Sequence, residues 1–251
     1  MSSTVSTIAL CLALFAVTLG LLAVAALVLA RKLRRLRSML RRQERHVWET
    51  HNVFQVLRGG VPLPVPGGWA ASTDLLGELL RAVANRRPQR VVELGSGLST
   101  LIIAAALRNN GAGRLISIDA DRNYAAITRA QLERQGLADW AEVRIAPLTE
   151  SLFEGEARPW YDTTVLADLS DIDLLLIDVP PTLLRADIRY PALPFFWPRL
   201  TAGAIALLDD AARSAERAIA QRWQRQFPDA EFEYLRLEKG ALRVIKPGQL
   251  P

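Results

Sequence analysis

From residue 72 onward the chain alternates between two hydrophobic rhythms. Leu75, Leu76, Leu79, Leu80 and Val83 recur at helical spacing behind Ser72 or Thr73, either of which can cap the helix. A short β-branched run at 90–94 predicts a strand. Gly95 and Gly97 follow, then an apolar helical stretch at 101–107 that exits through Asn109-Asn110-Gly111. The alternation continues with a strand at 115–119, a helix from 122 to 135 ending at Gly136, and a strand at 141–146. Residues 148–170 show neither period and predict irregular structure. Residues 173–178 are almost continuously aliphatic, as a strand covered on both faces should be. A long loop, a strand at 203–208, a helix at 211–226 and a closing pair at 231–237 and 241–246 complete the pattern. Strands alternating with helices predict an α/β domain over 71–251, with a doubly wound, mostly parallel, seven-stranded sheet.

The first third of the chain has a different pattern. Residues 8–30 form 23 positions with no charge and no proline. As a helix they would extend roughly 34 Å, enough for the ~30 Å hydrocarbon layer, so a transmembrane anchor is expected at 1–30. Val28-Leu29-Ala30 could pass for a signal cleavage site, but residues 1–7 carry no basic residue. Cys11, the single cysteine, falls inside the proposed span, so disulfides have no part. Eight basic residues against Glu44 give residues 31–45 a charge of +7 where the whole chain carries +5, so the remainder is −2. Such a flank is expected to stay cytoplasmic and to meet anionic lipid headgroups, and no nucleic-acid partner is expected. Leu33, Leu40, Val47 and Phe54 recur every seven residues, with Leu36 and Leu57 on the same side. They allow either a coiled-coil stalk forming a homodimer or a single amphipathic helix over 31–58. Gly59-Gly60, Pro62, Pro64, Pro66 and Gly67-Gly68 predict a linker at 59–70. Trp48 and Trp69 suit a membrane interface, and His46 and His51 precede the domain and its chemistry.

Ligands of open α/β sheets bind beyond the C-terminal ends of the strands, and here those ends carry acids: Glu93, Asp119, Asp178 and the pair Asp209-Asp210. Gly95 and Gly97 between strand and helix remove side chains that would hold a ligand away from the backbone. A nicotinamide dinucleotide is one candidate ligand, but its fingerprint wants a third small residue where Thr100 stands. Glu93 would repel a pyrophosphate and suits a cofactor with a cationic amino group. Asp119 suits a ribose diol in either case.

These motifs resemble the class I S-adenosylmethionine-dependent methyltransferases, over residues 70–246. The resemblance rests on Glu93-Leu-Gly95-Ser-Gly97, on Leu115-Ile-Ser-Ile-Asp119 and on Leu174-Leu-Leu-Ile-Asp178. Through Ile116-Ser-Ile-Asp119 and Tyr124-Ala-Ala-Ile-Thr128 it is nearest the catechol O-methyltransferase-like, small-molecule O-methyltransferases. It implies a Rossmann-like methyltransferase fold, with S-adenosyl-L-methionine held by Glu93, Gly95, Ser96, Gly97 and Ser99 at the methionine end. Asp119 would hold the ribose, and Pro147 and Leu148 would border the adenine. It also implies Asp178 as the catalytic residue, with Asp178, Asp209 and Asp210 able to hold Mg²⁺. The chain departs from that pattern in Val179-Pro180-Pro181 after the acid, and the basic residue expected three positions on is absent. General-base catalysis by Asp178 without metal therefore stays open beside the metal reading. Asp178-Val-Pro-Pro181 lacks the aromatic of the amino-directed nucleic-acid enzymes. Arg185, Arg189 and Tyr190 lie in the following loop, either as solvated loop residues or as contacts for an anionic or sugar-like acceptor. The implied activity is methyl transfer to an oxygen of a small-molecule, sugar or lipid-linked acceptor at the cytoplasmic face. The alternatives are a methyltransferase-like scaffold without activity and an NAD-dependent oxidoreductase.

Overall fold

The structure, a computed structural model, describes residues 2–57, 71–153, 155–179 and 185–248; within the first segment the side chains of residues 2–13, 16, 42, 45 and 54 are outside the description. The linker at 59–70 with Trp69, and Pro180 and Pro181, also lie outside the described residues.

The chain divides into two units, Met1–Trp48 and Glu49–Pro251. Helix α1 (Ser2–Val56) supplies the first. Its large apolar side chains between Leu14 and Leu29 are exposed, as are Leu33, Leu36, Leu40 and Val47 of the seven-residue stripe. Among the described residues, no helix is long and apolar enough to cross a membrane. The expected span at 8–30 falls partly outside those residues. The uninterrupted stretch whose side chains are described, 17–30, would reach only about 21 Å as a helix.

The second unit begins earlier than the sequence suggests. Val53, Val56 and Leu57 are buried in the core, and Glu49 pairs with Arg81 at 3.0 Å. These residues were expected in the stalk. Glu49, Val53 and Val56 near the end of α1, with Leu57 just after it, instead make that end part of the domain.

The body is a doubly wound α/β sandwich. Its sheet contains β1 (Arg90–Leu94), β2 (Arg114–Asp119), β3 (Ala141–Ile145), β6 (Ile172–Ile177), β7 (Leu200–Asp209), β8 (Glu231–Leu235) and β9 (Ala241–Ile245), in the order β3-β2-β1-β6-β7-β9-β8. The first five run parallel; β9 is antiparallel to both β7 and β8. Alternation on the central strands assigns the faces. Leu174 and Leu176 pack with α2 (Thr73–Arg86), α3 (Leu98–Asn110) and α4 (Arg122–Arg134), while Leu175 and Ile177 pack on the other face with α5 (Ala192–Phe196) and α6 (Ser214–Gln226). Each such fully buried leucine contributes about 1.5–3 kcal/mol, so one-residue register slips on these strands are strongly disfavoured.

The segment expected to be irregular contains an antiparallel hairpin, β4 (Leu148–Phe153) and β5 (Glu156–Tyr161), before a 3₁₀ turn at Thr163–Leu166. Its register pairs Leu148 with Tyr161, and Asp162 N–H donates to the Pro147 carbonyl at 2.9 Å. Glu150, Ser151 and Arg158 interrupt any simple apolar alternation, which hid the hairpin in the sequence.

Candidate active site

The strand ends converge on one cavity of about 790 Å³. At the end of β1, Gly95 N–H donates to the Ile118 carbonyl at 2.7 Å, while Asp178 and Val179 N–H both donate to the Leu94 carbonyl at 3.1 and 3.0 Å. Three strand ends are thereby fastened together. Gly95 has φ +110°, and a Cβ there would stand 2.6 Å from Val179 Cγ2. Of the two glycines in this turn, only Gly95 takes left-handed backbone. Gly97 is extended (φ 165°), and the space beside its Cα is open. Gly97 lines the cavity.

Glu93 is the residue whose position differs most from expectation. It is fully buried and does not line the cavity. Its Oε2 accepts from Thr100 Oγ1 at 2.6 Å, and Thr100 Oγ1 accepts in turn from Gly97 N–H at 2.9 Å. Burial pushes its carboxyl up to about 7, against hydrogen bonds from Ser99, Thr100 and Ser117 that pull it down. Glu93 therefore braces the glycine turn from beneath through Oε2, while its buried Oε1 has no hydrogen-bond partner among the described residues. Thr100, the residue that departs from the dinucleotide fingerprint, is the link between the acid and the turn.

Asp119 lines the cavity. Its Oδ2 accepts from Ser96 N–H at 3.0 Å and Ser96 Oγ at 2.5 Å, and its Oδ1 accepts from Asp121 N–H at 2.9 Å. The carboxylate is fixed in orientation with lone pairs still available to a diol. Ser96, Gly97, Ser99, Pro147 and Leu148 line the same end, with Tyr124 and Ile127 of α4.

At the other end stand Asp178, Asp209 and Asp210. One oxygen from each lies within 4.8 Å of the others. Asp178 and Asp210 line the cavity; Asp209 is buried behind it. Burial pushes Asp178 up to about 6, with Arg189 pulling down and Asp210 adding to the rise. Burial and the neighbouring charges of Asp178 and Asp210 push Asp209 up to about 7. Asp210 sits at φ +60°, and its Oδ1 is buried without a hydrogen-bond partner among the described residues.

The sequence left Arg189 among loop residues that could be solvated. The structure buries it at the centre of this cluster. Its guanidinium donates to the Asp209 carbonyl at 3.2 Å and to Asp210 Oδ2 at 3.3 Å, and stands 3.3 Å from Glu216 and 3.7 Å from Asp178. Arg213 reaches Asp210 at 2.8 Å, and Lys239 lines the same end. Tyr190 is buried too: its carbonyl accepts from Trp223 Nε1 at 2.9 Å, and its hydroxyl donates to Gln226 at 2.9 Å. Arg185 pairs with Asp187, which also holds the buried Arg158 of β5 at 2.8 Å. The hairpin, the loop and α6 are thus tied into one support for Arg189. Residue spacing gives no sign of it, because its three carboxylate partners come from the residues just after β6 and β7 and from α6.

The family model described as "Methyltransferase domain" matches residues 92–211, which run from β1 through β7. Residues 92–211 are a methyltransferase domain. Solved structures of methyltransferases share the fold. One from Geobacter sulfurreducens is 20% identical, with a TM-score of 0.54 over 70% of this chain and 79% of its own. The methyltransferase PaMTH1 of Podospora anserina, solved with SAH bound, is 16% identical, with a TM-score of 0.55 over 70% and 79%. The O-methyltransferase TomG of Streptomyces achromogenes, solved with SAM, is 18% identical, with a TM-score of 0.54 over 72% and 82%. No curated protein matches the chain in sequence. The methyltransferase sheet also differs from the classic dinucleotide-binding order, since β9 enters antiparallel between β7 and β8.

Proposed function

We propose that the methyltransferase domain uses S-adenosyl-L-methionine to methylate an oxygen of a small-molecule, sugar or lipid-linked acceptor. The observation that carries this reading is the polarity of the cavity. At one end Asp119 is oriented by Ser96 and Asp121 to accept from a ribose, beside the clearance at Gly97. At the other end Asp178 is a carboxylate whose pKa is raised to about 6. The bound cofactor would supply an electrophilic methyl. Asp178 accepts the proton of the acceptor hydroxyl, and a base poised near neutral pH suits that task. Arg189 holds Asp178 and Asp210 in place. PaMTH1 and TomG, with SAH and SAM in their structures, and the O-methyltransferase description of TomG support this choice of donor and acceptor atom.

Asp178, Asp209 and Asp210 also suit Mg²⁺, and the buried, unpartnered Oδ1 of Asp210 is the observation that favours it. Such an ion would supply Lewis acidity at the acceptor oxygen. Once an acceptor is found, loss of turnover in EDTA with recovery on Mg²⁺ is the outcome that reading requires. The full chain in detergent should release or take up heat with S-adenosylhomocysteine and none with NAD. No binding of the former at about a millimolar, roughly −4 kcal/mol, overturns the donor assignment.

The same reading places the domain at the cytoplasmic face of a membrane, held by a single span at 8–30 and by the basic segment 31–45. The 23 uncharged positions and the exposed apolar side chains from Leu14 to Leu29 support it. Alkaline washing of membranes from cells making the full chain should leave it in the pellet; release into the supernatant overturns the anchor.

A further inference from the structure

Tyr161 has no role in the reading above. It ends β5, where Leu148 pairs with it across the hairpin and Asp162 fastens it beside Pro147. Its ring packs edge-on against Trp160 at 5.1 Å and lines the cavity. The side chain is fully buried, yet its hydroxyl has no hydrogen-bond partner among the described residues. A buried hydroxyl left unpaired costs about 1–3 kcal/mol, and native folds seldom keep one without a reason.

The charged groups that act on this phenol come from both ends of the cavity: Asp119 at the ribose end, then Arg189 and Asp178 at the acceptor end, with Glu93 beneath. Burial and the acids push its pKa up, so the phenol stays neutral and keeps both a donor and an acceptor. Asp119 already has its own donors in Ser96 and Asp121, and the hydroxyl makes no bond to it.

We infer that the Tyr161 hydroxyl is a ligand contact, which hydrogen-bonds the S-adenosyl cofactor where the cavity turns from Asp119 toward Asp178. The inference rests on the donor assignment proposed above. It extends the site to a residue of the inserted hairpin, which thereby becomes one wall of the cofactor pocket. Free of ligand, the hydroxyl is a small liability to the fold; with cofactor bound it is satisfied.

That pairing of effects gives the test. Full-length wild type and Tyr161→Phe are titrated calorimetrically with S-adenosylhomocysteine and melted without ligand. The variant should bind about 10-fold more weakly, the equivalent of about 1.4 kcal/mol. Its ligand-free melting temperature should equal or exceed that of wild type, because an unpaired buried hydroxyl has been removed. Affinities within twofold of one another overturn the inference while leaving the donor assignment intact. A fall in the ligand-free melting temperature also overturns it, since the hydroxyl would then serve the fold. Failure of the wild type to bind overturns the donor assignment, and this inference with it.

Discussion

At the β1–β2 side of the cavity the acids are held by neutral hydroxyl and backbone donors; at the β6–β7 side they are held by one buried guanidinium from the loop after β6. Glu93 and Asp119 use the hydroxyls of Thr100 and Ser96 and the backbone of residues 96 and 121. Asp178, Asp210 and Glu216 share the buried Arg189. The first arrangement presents a fixed acceptor, Asp119, to the cavity. The second concentrates four buried or half-buried carboxylates around one buried cation, and its balance depends on that cation remaining. Ligand affinity should therefore be most sensitive at the first side and folding stability at the second.

The sharpest way to break this contrast is Arg189→Met. Removing one partner of a buried charge cluster typically costs 3–5 kcal/mol, and the uncompensated acids here should put the loss in that range. Denaturant unfolding at pH 8 should show it in full. At pH 5 the loss should shrink, because Asp178 and Asp209, already raised to about 6 and 7, take up protons that replace the missing cation. An equal loss at both pH values would mean that Arg189 acts through packing and not through charge.

Glu93→Gln addresses the first side. In the folded chain this carboxyl is raised from 4.5 to about 7, so between those values the folded state keeps a proton that the unfolded state has released. Its contribution is therefore fully present below pH 4.5 and is lost as pH rises to 7. The loss is of order 3 kcal/mol for a shift of this size. The glutamine can still accept from Thr100 and has no such slope. Relative to wild type it should gain stability between pH 5 and pH 8, measured by unfolding in urea. A constant difference across that range would place the proton elsewhere.

What could be read in the sequence follows the same division. The acids at four strand ends and the glycine turn are legible because strand ends and turn glycines are marked by residue type alone. The bond from Thr100 to the buried Glu93 and the left-handed backbone at only one of the two turn glycines are not legible there. The burial of Arg189 was not visible. Arg189, Asp178, Asp210 and Glu216 meet only because β6 and β7 lie side by side and α6 folds back over them. The hairpin at 148–161 was missed for a related reason: Arg158 is a charged residue at a buried position, satisfied by Glu156 and Asp187, so the alternation expected of a strand is broken.

Asp119→Asn should show the reverse of Arg189→Met, with a large effect on ligand and a small one on folding. The asparagine oxygen can still accept from Ser96, but one charged acceptor for the ribose is gone. Hydrogen bonds to charged groups are worth about 1.5–3 kcal/mol, so S-adenosylhomocysteine should bind roughly 10- to 100-fold more weakly. If unfolding were instead shifted by as much as in Arg189→Met, the two sides of the cavity would not differ in the way described.

The smallest effect concerns the hydroxyl that joins Glu93 to the turn. Thr100→Ser keeps the donor to Glu93 and the acceptor for Gly97 N–H and removes only a buried methyl, a loss of about 1 kcal/mol. Thr100→Val keeps the shape and removes the hydroxyl. It leaves a buried carboxyl and a backbone N–H each short of a partner, at about 1–3 kcal/mol. The valine protein should therefore be the less stable of the two, and the gap should narrow below pH 6, where a protonated Glu93 no longer needs a donor as a carboxylate does. Equal stabilities at pH 8 would mean that the turn is held by its glycine geometry and by the clamp of Asp178 and Val179 on Leu94, with the Thr100 bond an accessory.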